Sequence, residues 1–214
     1  MNWKKNCLKN FKLYAITDIE CEDARILKKI EQAFLGGVDI IQLRSKTLLA
    51  ASLIRLGQKI KQIANRHRKL FIINDRPDIM LALDADGVHL GQNDLPIQVA
   101  RQMIRNPSKI IGKSTHSFRQ AVQAEQEGAD YIGFGPIFKT PTKAAYAPVG
   151  LRNMKRVHEC VSIPIVCIGG INEFNLDKVI NAGAKRIAVV RAIFSVPQPK
   201  QAAHSLKRII QTKF

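Results

Sequence analysis

Eight short apolar runs, separated by amphipathic stretches, constrain the fold of this chain more than any other feature of its sequence. Each run is rich in Ile, Val and Leu, which is typical of a strand buried on both faces. In chain order the runs are KLYAIT, VDIIQLR, KLFIIN, DGVHL, KIIGK, ADYIGFG, IPIVCIGG and RIAVVR. Strands that alternate with helices favour a parallel sheet, and eight of them predict an α/β fold of the (β/α)8 TIM-barrel type.

The stretches between the runs carry apolar residues at helical spacing and then end in glycine. In DARILKKIEQAFLGG, for example, Ile26, Ile30 and Phe34 share one stripe ahead of the glycines. No linker, low-complexity stretch or repeat divides the chain, so we predict one domain over residues 1–214, with residues 1–10 as a basic extension. An open doubly wound sheet is disfavoured because no G-x-G-x-x-G follows the first run.

The formal net charge of +17 raises the question of an anionic partner. The basic residues are spread along the predicted helices, and the chain shows no RNP-like aromatic motif, zinc finger or arginine-rich tail. We therefore predict no nucleic-acid partner and interpret the charge as solvated helix faces that also attract phosphorylated substrates. A basic nucleic-acid-binding protein on a barrel scaffold is the alternative from another functional class.

Membrane and metal-cluster signals are weak in this sequence. No apolar run approaches the roughly 18 residues that a membrane span requires, and the basic start MNWKKNCLKNFK lacks the apolar stretch of a signal peptide. The four cysteines are scattered without a CxxC pair, which disfavours a zinc site. We predict no membrane association, free thiols and a cytoplasmic location.

Candidate functional residues follow the strands, because TIM barrels carry their sites on the loops at the C-terminal ends of the strands. The second run continues into QLRSK, where alternation places Gln42, Arg44 and Lys46 on one side. One amide and two cations suit a phosphate or diphosphate group. The alternative is a strand end held by structural salt bridges.

Acidic and hydroxyl residues follow the next three runs. Asp75 and Asp94 come from neighbouring strand ends, and two such carboxylates suit Mg²⁺ together with substrate phosphate oxygens. An equally good interpretation makes Asp94 the N-cap of the helix that begins near Pro96. After the fifth run come Ser114 and His116, of which His116 is either an acid–base group or a local structural residue.

The loop GFGPIFKTPTKAAYAPVG, after the sixth run, is hard to build as helix or strand because of its prolines and glycines. Thr140, Thr142 and Lys143 nevertheless crowd into its middle. After the seventh and eighth runs come the glycine pair 169–170 and Arg191, where barrels commonly bind phosphate through backbone N–H groups. We predict two phosphate sites, with this loop closing over both.

Taken together, these motifs resemble the thiamine-phosphate synthase family, from LYAITD to AVVRAIF. The similarity rests on GGVDIIQLRSK, FIINDRPDIMLALDADGVHLGQNDLP, GKSTHS, GADYIGFGPIFKTPTK and IPIVCIGGI. The resemblance implies a Mg²⁺-dependent transferase with two phosphorylated small-molecule substrates. A 4-amino-2-methyl-5-(diphosphooxymethyl)pyrimidine would lose diphosphate by dissociation, and a thiazole phosphate would attack to give thiamine phosphate.

The same resemblance implies a role for each candidate residue. For the pyrimidine diphosphate it implies Gln42, Arg44, Lys46, Asn74, Ser114 and Lys143, with Arg44, Lys46, Ser114 and Lys143 as the catalytic set. For the thiazole phosphate it implies Thr140, Pro141, Thr142, Gly170, Val190 and Arg191. For Mg²⁺ it implies Asp75 and Asp94.

Three points are left open by the sequence. Arg191 stands where many family members have Ser, which leaves its part in thiazole-phosphate binding undecided. The nearest alternative function is a thiazole tautomerase of a related barrel family, which would have little use for Arg44, Lys46, Asp75 and Asp94 together. The sequence does not define the oligomeric state, and a homo-oligomer is compatible with it.

Overall fold

Eight parallel strands close into a barrel in the computed structural model, which describes residues 3–21, 23, 25–143 and 146–213. The strands pair in chain order, and β1 also pairs with β8. They are β1 (Leu13–Ile16), β2 (Ile40–Leu43), β3 (Leu70–Asn74), β4 (Gly87–Leu90), β5 (Ile110–Thr115), β6 (Tyr131–Phe134), β7 (Ile165–Ile168) and β8 (Ile187–Val189). The predicted TIM barrel is confirmed: each of the eight apolar runs forms one strand, and β5 continues past its run to Thr115.

Helices alternate with these strands along the chain. They are α1 (Trp3–Asn10), α2 (Arg25–Leu35), α3 (Ala50–Arg66), α4 (Pro77–Ala82), α5 (Ile97–Ile104), α6 (Phe118–Gln126), α7 (Arg152–Cys160), α8 (Leu176–Asn181), α9 (Arg191–Phe194) and α10 (Pro199–Gln211). A short 3₁₀ turn, Pro141–Lys143, lies in the loop after β6. In the described part of the chain, none of the helices has the length and apolar character to cross a membrane.

Side chains of the strands alternate between the barrel interior and the layer under the helices. Ile40 and Ile72 belong to the interior cluster, whereas their neighbours Ile41 and Ile73 belong to the larger cluster that the helices cover. This alternation follows from the two-residue period of a strand. It explains why the runs are apolar at nearly every position, as both faces are buried.

The basic segment at residues 1–10, to which the sequence assigned no element, contains helix α1. Leu8 packs against the interior cluster of the barrel. Lys4 pairs with Asp86 at 2.6 Å, and Arg186 donates to a backbone carbonyl of α1 at 2.7 Å. Because Asp86 and Arg186 stand just before β4 and β8, helix α1 covers the N-terminal end of the barrel.

A repeated clamp secures that same N-terminal end. Just before β2, β4 and β6 stands an aspartate whose carboxylate accepts the backbone N–H of a residue in the preceding strand. The backbone N–H of the aspartate donates to the carbonyl of the same residue, at 2.8 to 2.9 Å. The three pairs are Asp39 with Leu13, Asp86 with Phe71 and Asp130 with Ile111. Each clamp ties the starts of two neighbouring strands together.

Asp39 carries the largest number of contacts among these clamps. Its carboxylate accepts the N–H groups of Lys12 at 2.8 Å and Leu13 at 3.1 Å, and it pairs with Lys69 and Lys207. Burial alone would raise the pKa of Asp39, but Lys207 and the backbone donors outweigh burial and hold the pKa below its ordinary value. The ionised carboxylate therefore stabilises the fold.

Asp39→Asn is expected to lower the free energy of unfolding by about 2 kcal/mol, because both lysines lose a partly buried partner. The depressed pKa places this stabilisation above the ordinary carboxyl pKa, and it is lost as pH falls through the folded-state pKa. Urea unfolding of both proteins at about pH 7 and about pH 3 measures this. If the loss in free energy of unfolding is as large at about pH 3 as at about pH 7, the argument is wrong. The control is Glu159→Gln, which removes an exposed carboxylate.

Candidate active site

A cavity of about 330 Å³ opens at the C-terminal end of the barrel, and every strand contributes to its wall. Most of the sequence-predicted site residues meet there, because parallel strands in a barrel deliver their ends to one mouth. Those that line the cavity are Gln42, Arg44, Asn74, Ser114, Thr140, Thr142, Gly170, Val190 and Arg191. Members of both predicted halves of the site, such as Arg44 from one and Gly170 from the other, thus face a single space.

Four other predicted residues lie outside the cavity lining. They are Lys46, Asp75, Asp94 and Pro141. Lys46 and Asp75 follow β2 and β3 and pair with each other. The backbone of Lys143 completes the 3₁₀ turn that Pro141 begins, but the side chain of Lys143 lies outside the described part of the chain. Its predicted contact with the pyrimidine substrate stays a prediction.

Both cations after β2 are paired with carboxylates. Arg44 pairs with Asp18, and its backbone N–H donates to the hydroxyl of Thr17 at 3.0 Å. The Nζ atom of Lys46 lies 2.5 Å from a carboxylate oxygen of Asp75, while the Lys46 side chain is 61% exposed. This is the salt-bridged strand end that the sequence left open as an alternative. Because Lys46 is exposed and exposed ion pairs contribute little stability, a polyanion can replace Asp75 as the partner of Lys46 at small cost.

The carboxyl groups of Asp75 and Asp94 interact directly across the ends of β3 and β4. Burial raises the pKa of Asp94, and the neighbouring Asp75 raises it further. For Asp75, hydrogen bonds from Asp94 and Lys46 outweigh burial and hold the pKa below its ordinary value. One carboxyl group thus keeps a proton more readily than the other, as happens when two like charges are forced together.

This pair fits a hard divalent cation, which relieves the repulsion between two ionised carboxylates. Within the described residues, no group of three or more His, Cys, Asp or Glu side chains is arranged to hold a metal ion. A site with only two carboxylates suits Mg²⁺, which usually keeps waters and binds substrate phosphate oxygens as well.

The N-cap interpretation of Asp94 is wrong. Helix α5 is preceded by Pro96 and has no side-chain cap hydrogen bond. The Asp94 carboxylate instead accepts the backbone N–H of Gly91 at 2.6 Å. The ammonium group of Lys113 in turn donates to the Gly91 carbonyl at 2.8 Å. Asp94 therefore folds its own loop back over the end of β4, where it meets Asp75.

A chain of hydrogen bonds crosses the floor of the cavity and includes three residues that the sequence did not single out. Gln42 donates to the hydroxyl of Tyr14 at 2.7 Å, and the hydroxyls of Tyr14 and Tyr131 are 3.0 Å apart. The Tyr131 hydroxyl lies 2.9 Å from His89 Nδ1, and His89 Nε2 lies 2.9 Å from Ser114 Oγ. The two predicted site residues at the ends are thus linked through Tyr14, Tyr131 and His89.

His116 holds the loops after β5 and β6 together. Its Nδ1 atom lies 2.5 Å from the carbonyl of Gly135, and its ring lies 4.2 Å from that of Tyr146. It also lines the cavity. These contacts favour the local structural interpretation of His116 over an acid–base role.

The loop after β6 is anchored on the end of β7. The backbone N–H groups of residues 137–138 donate to the carbonyls of residues 168–169 at 2.8 and 3.0 Å. Gly170 has a φ of 66°, and a Cβ atom there would lie 2.8 Å from the carbonyl oxygen of Lys139. Glycine permits this close approach, which brings the threonines of residues 140–142 to the cavity wall.

On the far side of the cavity, Val190 leads into the short helix α9. Arg191, the first residue of this helix, is exposed and lines the cavity. The first N–H groups of any helix have no partner within it, so they are open to an anion. The adjacent Gly170 turn is held by Asn175, whose amide donates to the Gly170 carbonyl at 2.8 Å. This side of the cavity offers mainly backbone donors.

A closed (β/α)8 barrel with polar and charged residues converging at its C-terminal mouth defines a TIM-barrel enzyme. A sequence model described as thiamine monophosphate synthase, TMP-TENI, matches residues 13–193. The chain therefore belongs to the thiamine monophosphate synthase family.

Relatives named thiamine-phosphate synthase agree with this assignment. The chain is 45% identical over 201 residues to the protein of Shouchella clausii, covering 93% of this chain and 96% of the relative. It is 40% identical over 200 residues to that of Pyrococcus abyssi, covering 94% and 95%. The solved thiamine phosphate pyrophosphorylase of Pyrococcus furiosus superposes with a TM-score of 0.88 at 36% identity, covering 96% of this chain and 98% of that one. The predicted family is confirmed.

Proposed function

We propose that this protein is a thiamine-phosphate synthase, a transferase that joins 4-amino-2-methyl-5-(diphosphooxymethyl)pyrimidine to a thiazole phosphate with release of diphosphate. One observation carries the proposal beyond the family assignment: after β2 to β4, Lys46 pairs with Asp75, Asp75 meets Asp94, and Arg44, two residues before Lys46, lines the cavity. A thiazole tautomerase handles no diphosphate and would have little use for this group.

We propose that Asp75 and Asp94 hold Mg²⁺, which when bound would offset the negative charge of the leaving diphosphate. Arg44 and Lys46 add fixed positive charge on the same side of the cavity. Both are ion-paired with carboxylates in the free protein, and the diphosphate would take over or share these pairings when it binds.

The polar groups of the cavity floor would then orient the pyrimidine ring. Gln42, Asn74 and Ser114 lie on adjoining walls and offer amide and hydroxyl groups. The electron-rich aminopyrimidine can delocalise positive charge from its methylene carbon as diphosphate departs. No protein nucleophile is needed for such a dissociative reaction. Holding both substrates close together in one cavity would supply the rest of the rate acceleration.

The thiazole phosphate would occupy the opposite side of the cavity, against the backbone of Gly170 and Arg191 and the hydroxyls of Thr140 and Thr142. Its ring nitrogen would then face the methylene carbon of the pyrimidine. Prolines in the loop after β6 restrict its free conformations, which lowers the entropy lost when it closes over the phosphate.

The direct test mixes purified protein with both phosphorylated substrates and Mg²⁺ and measures thiamine phosphate and diphosphate. Formation of both products in equal amounts supports the proposal. Isomerisation of the thiazole substrate without diphosphate release would instead support the tautomerase. A salt-dependent shift with mixed nucleic acid and no product would support the nucleic-acid-binding alternative.

Location and partners are part of the same proposal. A thiamine-phosphate synthase with scattered free thiols suits the cytoplasm, and small-molecule substrates explain the cationic mouth without a nucleic acid. A homo-oligomer stays a prediction, which sedimentation of the purified protein would decide.

Arg191→Ser is expected to raise the KM for thiazole phosphate about two- to threefold, more at low salt, with kcat nearly unchanged. The reason is that the exposed guanidinium attracts the phosphate over a distance while backbone N–H groups hold it. Arg119→Ser, which removes an exposed charge on α6, is the matched control. Loss of turnover at saturating substrate would show that the Arg191 side chain takes part in the chemistry.

Thr142→Val is expected to raise the KM for thiazole phosphate by about five- to tenfold through loss of one hydroxyl donor, without weakening pyrimidine diphosphate binding. The change keeps the side-chain shape of a cavity-lining residue in the 3₁₀ turn. Steady-state kinetics with each substrate varied in turn measures both KM values. Thr212→Val, the same substitution after helix α10, is the control. An equal rise in both KM values would place Thr142 in general loop closure instead.

A further inference from the structure

The hydrogen-bond chain on the cavity floor has a feature that the proposed function does not use. Its inner members are tyrosines at the centre of the barrel, Tyr14 and Tyr131, each 1% exposed. The two tyrosines connect Gln42 on β2 with His89 on β4, and His89 itself contacts Ser114 on β5. A buried polar chain of this length is stable only when each member finds a partner.

The backbone makes room for the chain and holds it in place. Gly112 pairs with Tyr131 in the sheet register, and a Cβ atom on Gly112 would lie 2.2 Å from the Tyr131 ring. The Tyr131 ring centre lies 6.0 Å from that of Tyr14 and 5.4 Å from that of His89. The Tyr131 hydroxyl is therefore confined to the point where it meets both neighbours.

The chemistry of the members gives the chain a direction. A primary amide nitrogen can only donate, so Gln42 Nε2 donates to the Tyr14 oxygen. Burial raises the pKa of both phenols, which therefore keep one proton each. The geometry alone leaves the donor of the next two contacts open, and a chain that continues in the same direction has Tyr14 donating to Tyr131 and Tyr131 donating to His89 Nδ1.

We propose that Tyr131 is a positioning residue that fixes His89 in the tautomer protonated on Nε2, with the direction set by Gln42 through Tyr14. In this tautomer His89 donates to Ser114 Oγ. The proton of the Ser114 hydroxyl is then directed away from His89 and into the cavity, as a donor toward the substrate. This consequence for the reaction rests on the proposed function, whereas the tautomer itself does not.

The reversed chain is the alternative arrangement. If the Gln42 amide were turned over, its oxygen would accept from Tyr14, every proton would shift one place, and His89 would carry its proton on Nδ1. Ser114 would then donate to His89 and present only lone pairs to the substrate. The two directions therefore differ in which ring nitrogen of His89 carries the proton, Nε2 or Nδ1.

Proton–nitrogen correlation spectra of the histidine rings in ¹⁵N-labelled protein show directly which nitrogen is protonated, and they need no substrate. The signals of His89 are identified by their loss in His89→Asn. We expect the Nε2–H tautomer in the wild type and in Ser114→Ala, and a mixture of tautomers in Tyr131→Phe. An Nδ1–H tautomer in the wild type would overturn the proposal while leaving the proposed function intact.

Kinetics supplies a second readout. Tyr131→Phe is expected to lower kcat/KM about tenfold when Ser114 is present and less than about twofold in the Ser114→Ala background. Tyr14→Phe, the matched removal of a buried hydroxyl, leaves the bond from Tyr131 to His89 and should have a smaller effect. Equal losses in both backgrounds would mean that Tyr131 only supports the fold, and thermal unfolding of each variant checks its stability. If Tyr131→Phe does not fold, the tautomer of His89 in the wild-type spectrum decides the matter by itself.

Discussion

Asp75→Asn is expected to lower turnover by about 10²-fold or more at saturating substrates and Mg²⁺. Asp75 is the member of the carboxyl pair whose pKa is held below its ordinary value, so in the proposed Mg²⁺ site it would supply the ionised oxygen ligands. The amide keeps the size of the side chain but removes its charge, and it also leaves Lys46 without its partner. Thiamine phosphate formation over a range of Mg²⁺ concentrations measures the loss.

The control for this substitution is Asp78→Asn, three positions further along the same segment. Asp78 pairs with Arg76 at the surface, 2.5 Å away, and does not line the cavity. It should change turnover by less than about twofold. Full activity of EDTA-treated wild-type protein would refute the metal proposal, whatever the variants show.

Arg44→Ala should lower kcat/KM by about 10²-fold, while the melting temperature falls by only a few degrees. The Arg44 side chain is 12% exposed and lines the cavity, so its charge acts on the substrate in poorly screened surroundings. Arg44→Lys should recover part of the activity, because a point charge replaces some of the attraction but not the two-pronged geometry. Kinetics and thermal unfolding of the same preparations separate the two effects.

The ion pair with Asp18 provides a sharp control. If Arg44 served only to hold Asp18, then Asp18→Asn would cost as much activity as Arg44→Ala. We expect Asp18→Asn to retain most of its turnover, because Asp18 is the more exposed partner and such a pair contributes little stability. An Arg44→Ala variant that is unfolded while the wild type is folded would favour the structural interpretation.

The strands could be predicted because burial on both faces leaves an unbroken apolar signal at each of them. The C-terminal ends of parallel strands converge in a barrel by topology alone. Gln42, Ser114 and Arg191 could therefore be assigned to one mouth from the sequence, and all three line the cavity. The carboxylate partners of the cations were harder to predict, since the sequence does not show that Asp18 meets Arg44.

The cavity floor could not be predicted because its members look like core residues. Tyr14 and Tyr131 stand inside apolar strands, and their alternation is that of any buried aromatic residue. Only closure of the barrel brings β1, β4 and β6 close enough for their hydroxyl and imidazole groups to meet. For Asp94 the sequence left a helix cap and a metal ligand as equal alternatives. The cap alternative is wrong because the local pattern fitted a helix start, whereas the loop folds back on Gly91.

The aspartate clamps at the closed end of the barrel recur before every second strand up to β6, and the series stops there. Before β8 the chain has Arg186, which reaches the backbone of α1 instead. The pairs β1–β2, β3–β4 and β5–β6 are therefore each held by an aspartate clamp. At the pair β7–β8, Arg186 instead bonds to helix α1, near the other end of the chain. Breathing motions of the barrel are expected to begin at this last pair, and amide exchange there should be the fastest among the strands.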